Sequence, residues 1–254
     1  MRLLLVFLTL LPSCASNGGR HKLPFKFDEE TGEIIPPPPG VWGAGAHPVG
    51  MAYVSGGDGQ FRYKTKGTAN DRDEDVNAQL YRVAFINGGG LIAEWVKSDG
   101  DMEGGTSADA FDLFLLGDAP LWPNNRMRFQ SRFGGFYTQV NLKKSDPLDV
   151  EPWLWGFRYE LEGEVDIIKR KKFVISAFGN GRLGFGWGKA KFQGEKQSIR
   201  SVPTGWGAGV RLHLARFMAS VTWIDRRMKI DDAVGFSSAE YGYEGISLDL
   251  GFRW

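Results

Sequence analysis

The sequence predicts an all-β chain, an antiparallel up-and-down barrel of about ten strands. Three observations predict it. Run after run alternates apolar and polar residues at a period of two, the repeat of a strand with two unlike faces. No internal stretch stays apolar for about 18 residues, the length an ordinary transmembrane helix needs. The connections between runs alternate between short turns and longer polar segments, as in a meander that runs up and down.

Residues 1–15 have the pattern of an export signal: Met1-Arg2, an apolar run from Leu3 to Leu11, then Pro12-Ser-Cys-Ala15. Two processing routes fit. Leu11-Pro-Ser-Cys14 resembles a lipobox, which implies a lipidated Cys14, and Ser13-Cys-Ala15 suits ordinary cleavage after Ala15. Residues 16–47 have linker composition, with Pro36 to Pro39 holding an extended conformation, and are expected to form a tether or periplasmic strap. The barrel is expected over 48–254.

Its strands are predicted at roughly 48–55, 78–86, 90–97, 107–116, 126–142, 153–167, 173–188, 205–214, 217–223 and 244–254. In the segment 126–142 the apolar parity changes near Gly134-Gly135, which predicts a β-bulge there. Short connections fall near 87–90, 168–172 and 215–216. Long polar loops are predicted at about 56–77, 98–106, 143–151, 192–203 and 226–243.

Residue size decides which face points out. The apolar face carries Trp95, Trp153, Trp155, Trp187, Trp206 and Trp223, too much bulk for the bore of a ten-stranded barrel. The polar face combines glycine with long charged chains, so it is expected inside. That makes the barrel a transmembrane one, with aromatic girdles at its two rims. The inward set holds Arg82, Arg126, Arg128, Arg132, Arg158, Arg182, Arg211 and Arg253 against Glu94, Asp112, Glu160, Glu162, Glu164, Asp166 and Asp249. Buried charges must be paired, so these rows are expected to bridge one another. The row Glu160, Glu162, Glu164, Asp166 is expected to meet Arg182 on one side and the Arg126-to-Arg132 row on the other. A cation site there is the alternative.

The final strand alternates Ile246, Leu248, Leu250, Phe252 and Trp254 with polar residues. A closing strand that ends on an aromatic residue resembles that of bacterial outer-membrane β-barrel proteins. The resemblance covers about 48–254 and carries no subfamily motif. It implies an outer-membrane location, a periplasmic C-terminus, contact with lipid, and Phe252 and Trp254 as the signal read by the barrel assembly machinery.

Function is less marked. Net charge is +1 without a basic run, which argues against nucleic acid. The single cysteine lies in the export region, so the mature barrel is expected to lack thiol chemistry. No cofactor motif is present. Of His21, His47 and His213, only the last falls in a strand, near a turn, where a neighbouring carboxylate is its expected partner. With no Gly-x-Ser-x-Gly elbow, the chain is expected not to be an enzyme, a lipid- or peptide-processing hydrolase being the third reading. The leading expectation is a structural barrel, or a narrow pore for small polar solutes. The second is a surface interaction module using loop aromatics at Phe61, Tyr63, Phe236, Tyr241 and Tyr243.

Overall fold

The computed structural model describes residues 26–27, 34–35, 50–67, 71–98, 102, 106–120, 127–143, 150–170, 173–192, 194–233 and 236–253. The chain divides into two units, Met1–His47 and Pro48–Trp254. In the first, β1 (Lys26–Phe27) pairs antiparallel with β2 (Ile34–Ile35). The export signal, Cys14 and the proline run lie outside the described residues, as do Arg126 and Trp254.

The second unit consists of β3 (Met51–Lys66), β4 (Arg72–Ile86), β5 (Gly89–Ser98), β6 (Ser107–Pro120), β7 (Met127–Lys143), β8 (Glu151–Lys169), β9 (Phe173–Phe192), β10 (Glu195–Ser201), β11 (Thr204–Leu214), β12 (Phe217–Ala233) and β13 (Phe236–Arg253). Every neighbour is antiparallel, and β13 pairs with β3, so the sheet closes. The segments β10 and β11 face β9 in one register, Ser201 opposite Gly186 and Thr204 opposite Leu183. They are one strand broken at Pro203, which has no N–H to give the ladder but still accepts from Gly184 N at 2.7 Å. The barrel therefore has ten strands among the described residues.

The register sets the barrel's dimensions. Pairs lead from Phe252 through Ala52, Phe85, Leu91, Leu115, Gly135 and Phe157 to Phe185. From Leu183, two residues along β9, they lead through Thr204 and Arg227 to Gly242. Counting that step, the row returns to β13 about twelve residues from its start, which implies a strand tilt of about 40° and a backbone radius of about 10 Å. A bore of that size is filled by arginine-length side chains from opposite walls.

One end has short turns, at Asn87-Gly88 and Ala215-Arg216. Gly88 has φ 72°, and Ala215 takes φ 53°, a left-handed conformation a two-residue hairpin demands and a Cβ opposes. Phe252 lies at this turn end.

At the opposite end, the loop end, the strands run much further than their apolar faces do. The lower part of β13 turns Phe252, Leu250, Leu248 and Ile246 outward and Asp249 and Ser247 inward. Its upper part turns Glu244 and Glu240 outward and buries Tyr243, Tyr241 and Ala239. The same inversion occurs on β12, where outward Phe217 to Trp223 gives way to Arg227 and Lys229 while Ile224, Met228 and Ile230 turn in. On β4 outward Phe85, Val83 and Tyr81 give way to Gln79, Asn77 and Asp75, and Leu80 and Ala78 turn in. On β3 outward Val54 gives way to Arg62 and Lys64, and Phe61 and Tyr63 turn in. An inversion of this kind suits a strand that leaves apolar surroundings for water, because whichever face meets water has to be polar.

The upper barrel is thus built like a soluble one. Its core joins Phe61, Tyr63, Leu80, Val140, Leu142, Leu154, Phe192, Met228, Ile230 and Tyr241. Val150 is clamped into it, its N–H donating to the Tyr63 hydroxyl at 3.0 Å and its carbonyl accepting from the Tyr241 hydroxyl. Outside, cross-strand pairs face water. Arg62 donates to Asp75 at 3.0 Å, and the hydrogen bond from Lys64 holds the Asp73 carboxyl below its ordinary range.

Three sequence expectations are corrected here. The loops predicted at 56–77, 192–203 and 226–243 are mostly strand. Phe61, Tyr63, Tyr241 and Tyr243 are buried inside the barrel and not displayed on loops. No bulge interrupts β7: its register runs unbroken past Gly134-Gly135, and Phe136, Val140 and Leu142 point inward. The parity change read there is the inner face turning apolar. The one register shift in the ladders falls at Asp166/Ile168 of β8.

Candidate functional site: the charged lumen

Two charged layers cross the lumen below the apolar core. The layer near the turn end is organised by the acidic row of β8, whose side chains all point inward because they share one parity. Arg211 of β11 donates to Glu162 and Glu164, both at 2.9 Å. Arg132 of β7 donates to Glu162 at 3.2 Å and to Asp118 of β6 at 3.3 Å, with Glu160 at 3.9 Å. Arg128 holds Glu164 at 2.9 Å and also Asp166. His213 Nε2 lies 2.9 Å from Glu164, and Asp249 accepts from Ser220 at 2.7 Å and Thr222 at 3.1 Å.

Glycine makes room for rings within this network. Gly209 stands opposite Phe178, where a Cβ would meet the Val221 carbonyl oxygen at 2.2 Å and the ring at 3.0 Å, and the guanidinium of Arg211 stacks on that ring at 4.0 Å. The apolar faces of the guanidinium groups are covered while their edges stay free for carboxylates.

The second layer lies between this network and the apolar core. Arg82 of β4 donates to Glu94 of β5 at 3.1 Å. Arg158 of β8 grips Asp112 of β6 through two hydrogen bonds of 2.6 Å, with Phe136 and Phe114 beside its guanidinium at 4.7 and 5.2 Å. Arg182 of β9 lies 3.5 Å from Asp112 and 3.7 Å from Glu94, and Arg226 of β12 lies 3.8 Å from Glu94. These last separations are ion pairs, too long for good hydrogen bonds. Nε and Nη1 of Arg182, Nε of Arg158 and Nε of Arg226 are buried without an acceptor among the described residues. A buried donor left so costs about 1–3 kcal/mol.

The lumen residues read from the sequence therefore meet as two networks. Arg128, Arg132, Arg158, Glu160, Glu162, Glu164, Asp166, Arg182, Arg211 and Asp249 all face inward. Arg182 departs from its expected partner. It stands opposite Glu160 in register but reaches Glu94 and Asp112 on β5 and β6. The Glu160-to-Asp166 carboxylates are occupied by arginines, and the described residues hold no cluster arranged for a metal ion. Arg226 falls at the start of the loop predicted at 226–243, and Asp118 just past the strand predicted at 107–116, so the sequence does not place either in the lumen. The signal that finds Arg226 is its shared parity with Ser220, Thr222, Ile224 and Met228.

The outer face carries an aromatic row at the level of the upper charged layer. Trp155 meets Trp187 edge-on at 4.7 Å, Trp95 meets Phe111 at 5.1 Å, and Trp206 packs on Trp223 at 4.0 Å. At the turn end Phe252 packs on Phe217 at 4.7 Å.

No protein-family model matches the chain, and no curated protein matches it. Among solved structures it is similar to Neisserial surface protein A, with 10% identity, 78% of this chain and 95% of that one covered, and a TM-score of 0.35. It is also similar to the β domain of the Bordetella autotransporter BrkA, with 16% identity, 81% and 98% covered, and a TM-score of 0.39. A third is Ail, the attachment invasion locus protein of Yersinia pestis, with 10% identity, 81% and 99% covered, and a TM-score of 0.26. The fold stands on the pairing register and not on these likenesses. On that register the chain is a closed, ten-stranded antiparallel barrel, the architecture its sequence resembles.

Proposed function

We propose that the chain is an outer-membrane β-barrel with a closed lumen, a rigid body held in lipid and not a conduit for solutes. The observation that carries this reading is the stacking of three obstructions along a bore of about 10 Å backbone radius. Those are the Glu162–Arg211–Arg132 network, the Arg158–Asp112 layer and the apolar core around Phe61 and Tyr241. Membrane residence is supported by the outward band that includes Val54, Leu115, Phe157, Phe185, Val210 and Leu248, all more than a third exposed, with aromatic rings along its edges.

In this reading the turn end faces the periplasm and the polar, extended loop end faces outward. Lipid packs on the band, and the strand carrying Phe252 is the one the assembly machinery engages. A non-enzymatic role is supported by the placement of His213, whose ring is held by Glu164 inside the closed layer.

The test is conductance of the refolded protein in planar bilayers. The expected record has no regular single-channel steps. Steps of uniform size that change with Glu162→Ala or Arg182→Ala overturn the closed lumen.

A further inference from the structure

Between the upper charged layer and the apolar core lies a cavity of about 70 Å³, room for a few water molecules or one small ion. Its lumenal charges are unbalanced. Arg158, Arg182 and Arg226 face it against Glu94 and Asp112. Arg227, at the cavity's margin, is already matched by Asp225 at 2.9 Å. Asp112 is taken up by the two-pronged grip of Arg158, and the closest hydrogen bond to Glu94 comes from Arg82. That leaves Arg182, whose side chain is 8% exposed, with Nε and Nη1 lacking acceptors among the described residues, and Nε of Arg158 and Arg226 in the same condition. Tyr243, whose hydroxyl also lacks a partner among the described residues, lines the same cavity.

We propose that this cavity is a binding site for one small monovalent anion, a halide or a small carboxylate, held by Arg158, Arg182 and Arg226. The chemistry selects the ligand. Water can accept from these N–H groups but brings no charge, and an excess of positive charge shielded from bulk water is costly. A monovalent anion does both things at once. The volume of about 70 Å³ admits one small anion, and the apolar roof formed by Phe61, Val96 and Met228 offers nothing to a larger polar body.

The site goes beyond the closed-lumen reading and does not depend on its outcome, since an anion can be resident whether or not ions pass. Two measurements test it. The first is anomalous diffraction from crystals of the whole protein grown in bromide. The expected result is a peak among the three guanidinium groups, and a refined water there overturns the proposal. The second is thermal unfolding of the refolded protein at fixed ionic strength in chloride, formate or gluconate. Chloride or formate is expected to raise the midpoint by several degrees over gluconate, the two arms separating halide from carboxylate. In Arg182→Met the difference disappears and the midpoint in gluconate equals or exceeds that of the parent. A chloride and formate response that survives in Arg182→Met, or no response in the parent, overturns the site. Should Arg182→Met fail to refold, the bromide measurement on the parent decides.

Discussion

Replacing Arg211 by methionine tests the turn-end network at its centre. The guanidinium donates to Glu162 and Glu164 at 2.9 Å each and stacks on Phe178 at 4.0 Å, and its side chain is 7% exposed. Methionine keeps the contact with the ring and removes the charge. Two carboxylates then face each other across a small space, with Arg132 and Arg128 left to neutralise them. Breaking a buried pair from one side costs about 3–5 kcal/mol, because the surviving charge stays desolvated. The variant Arg211→Met is therefore expected to lose about that much in urea unfolding, followed by tryptophan fluorescence of the refolded barrel in lipid vesicles. Adding Glu162→Gln removes one of the stranded charges, so the double variant is expected to recover part of the loss. A loss in Arg211→Met below about 0.5 kcal/mol, the size of an ordinary surface substitution, refutes the network, as does strict additivity of the two changes.

Three further outcomes follow from the same structure. Phe61→Ala is expected to cost about 3–5 kcal/mol, because the ring is buried in the upper core, whereas a loop-displayed ring would cost almost nothing; equilibrium unfolding separates the two. Leu248→Arg places a charge on the outer face of the band and is expected to cost about 2–4 kcal/mol in lipid vesicles, against little for Arg at outward Glu240. Ala215→Gly relieves the left-handed conformation of the tight hairpin and is expected to raise stability by up to about 1 kcal/mol; a loss shows that the turn is not under that constraint.

The ten ladders were legible in the sequence wherever the strand crosses the apolar band. There the outer face is greasy and the inner face polar, and Trp206 to Leu214 or Phe217 to Trp223 alternate without a fault. Above the band the chain stays in strand while its two faces exchange character. Tyr241 and Tyr243 share the parity of Asp249 and Ser247, so apolar periodicity followed up β13 loses phase at Gly245 and reads as loop. On β7 the inner face turns apolar at Phe136, and the same loss of phase imitates a bulge. The inward charges were legible for the same reason as the strands, from parity alone. Their partners were not, because Arg182 reaches along the bore to Glu94 and Asp112 and passes over its register neighbour Glu160. Pairing across a lumen depends on side-chain length and tilt, and period-two patterns carry neither.

In the proposed reading, single strands continue from lipid into water and exchange the character of their faces at the boundary. The most direct test places nitroxide labels, one at a time, at the outward positions Leu250, Leu248, Ile246, Glu244 and Glu240 of β13 in lipid vesicles, and measures collision with oxygen and with a water-soluble nickel chelate. The first three are expected to favour oxygen and the last two the chelate, with the crossover between Ile246 and Glu244. Equal accessibility of Leu248 and Glu240 to either reagent contradicts the passage of β13 from lipid into water.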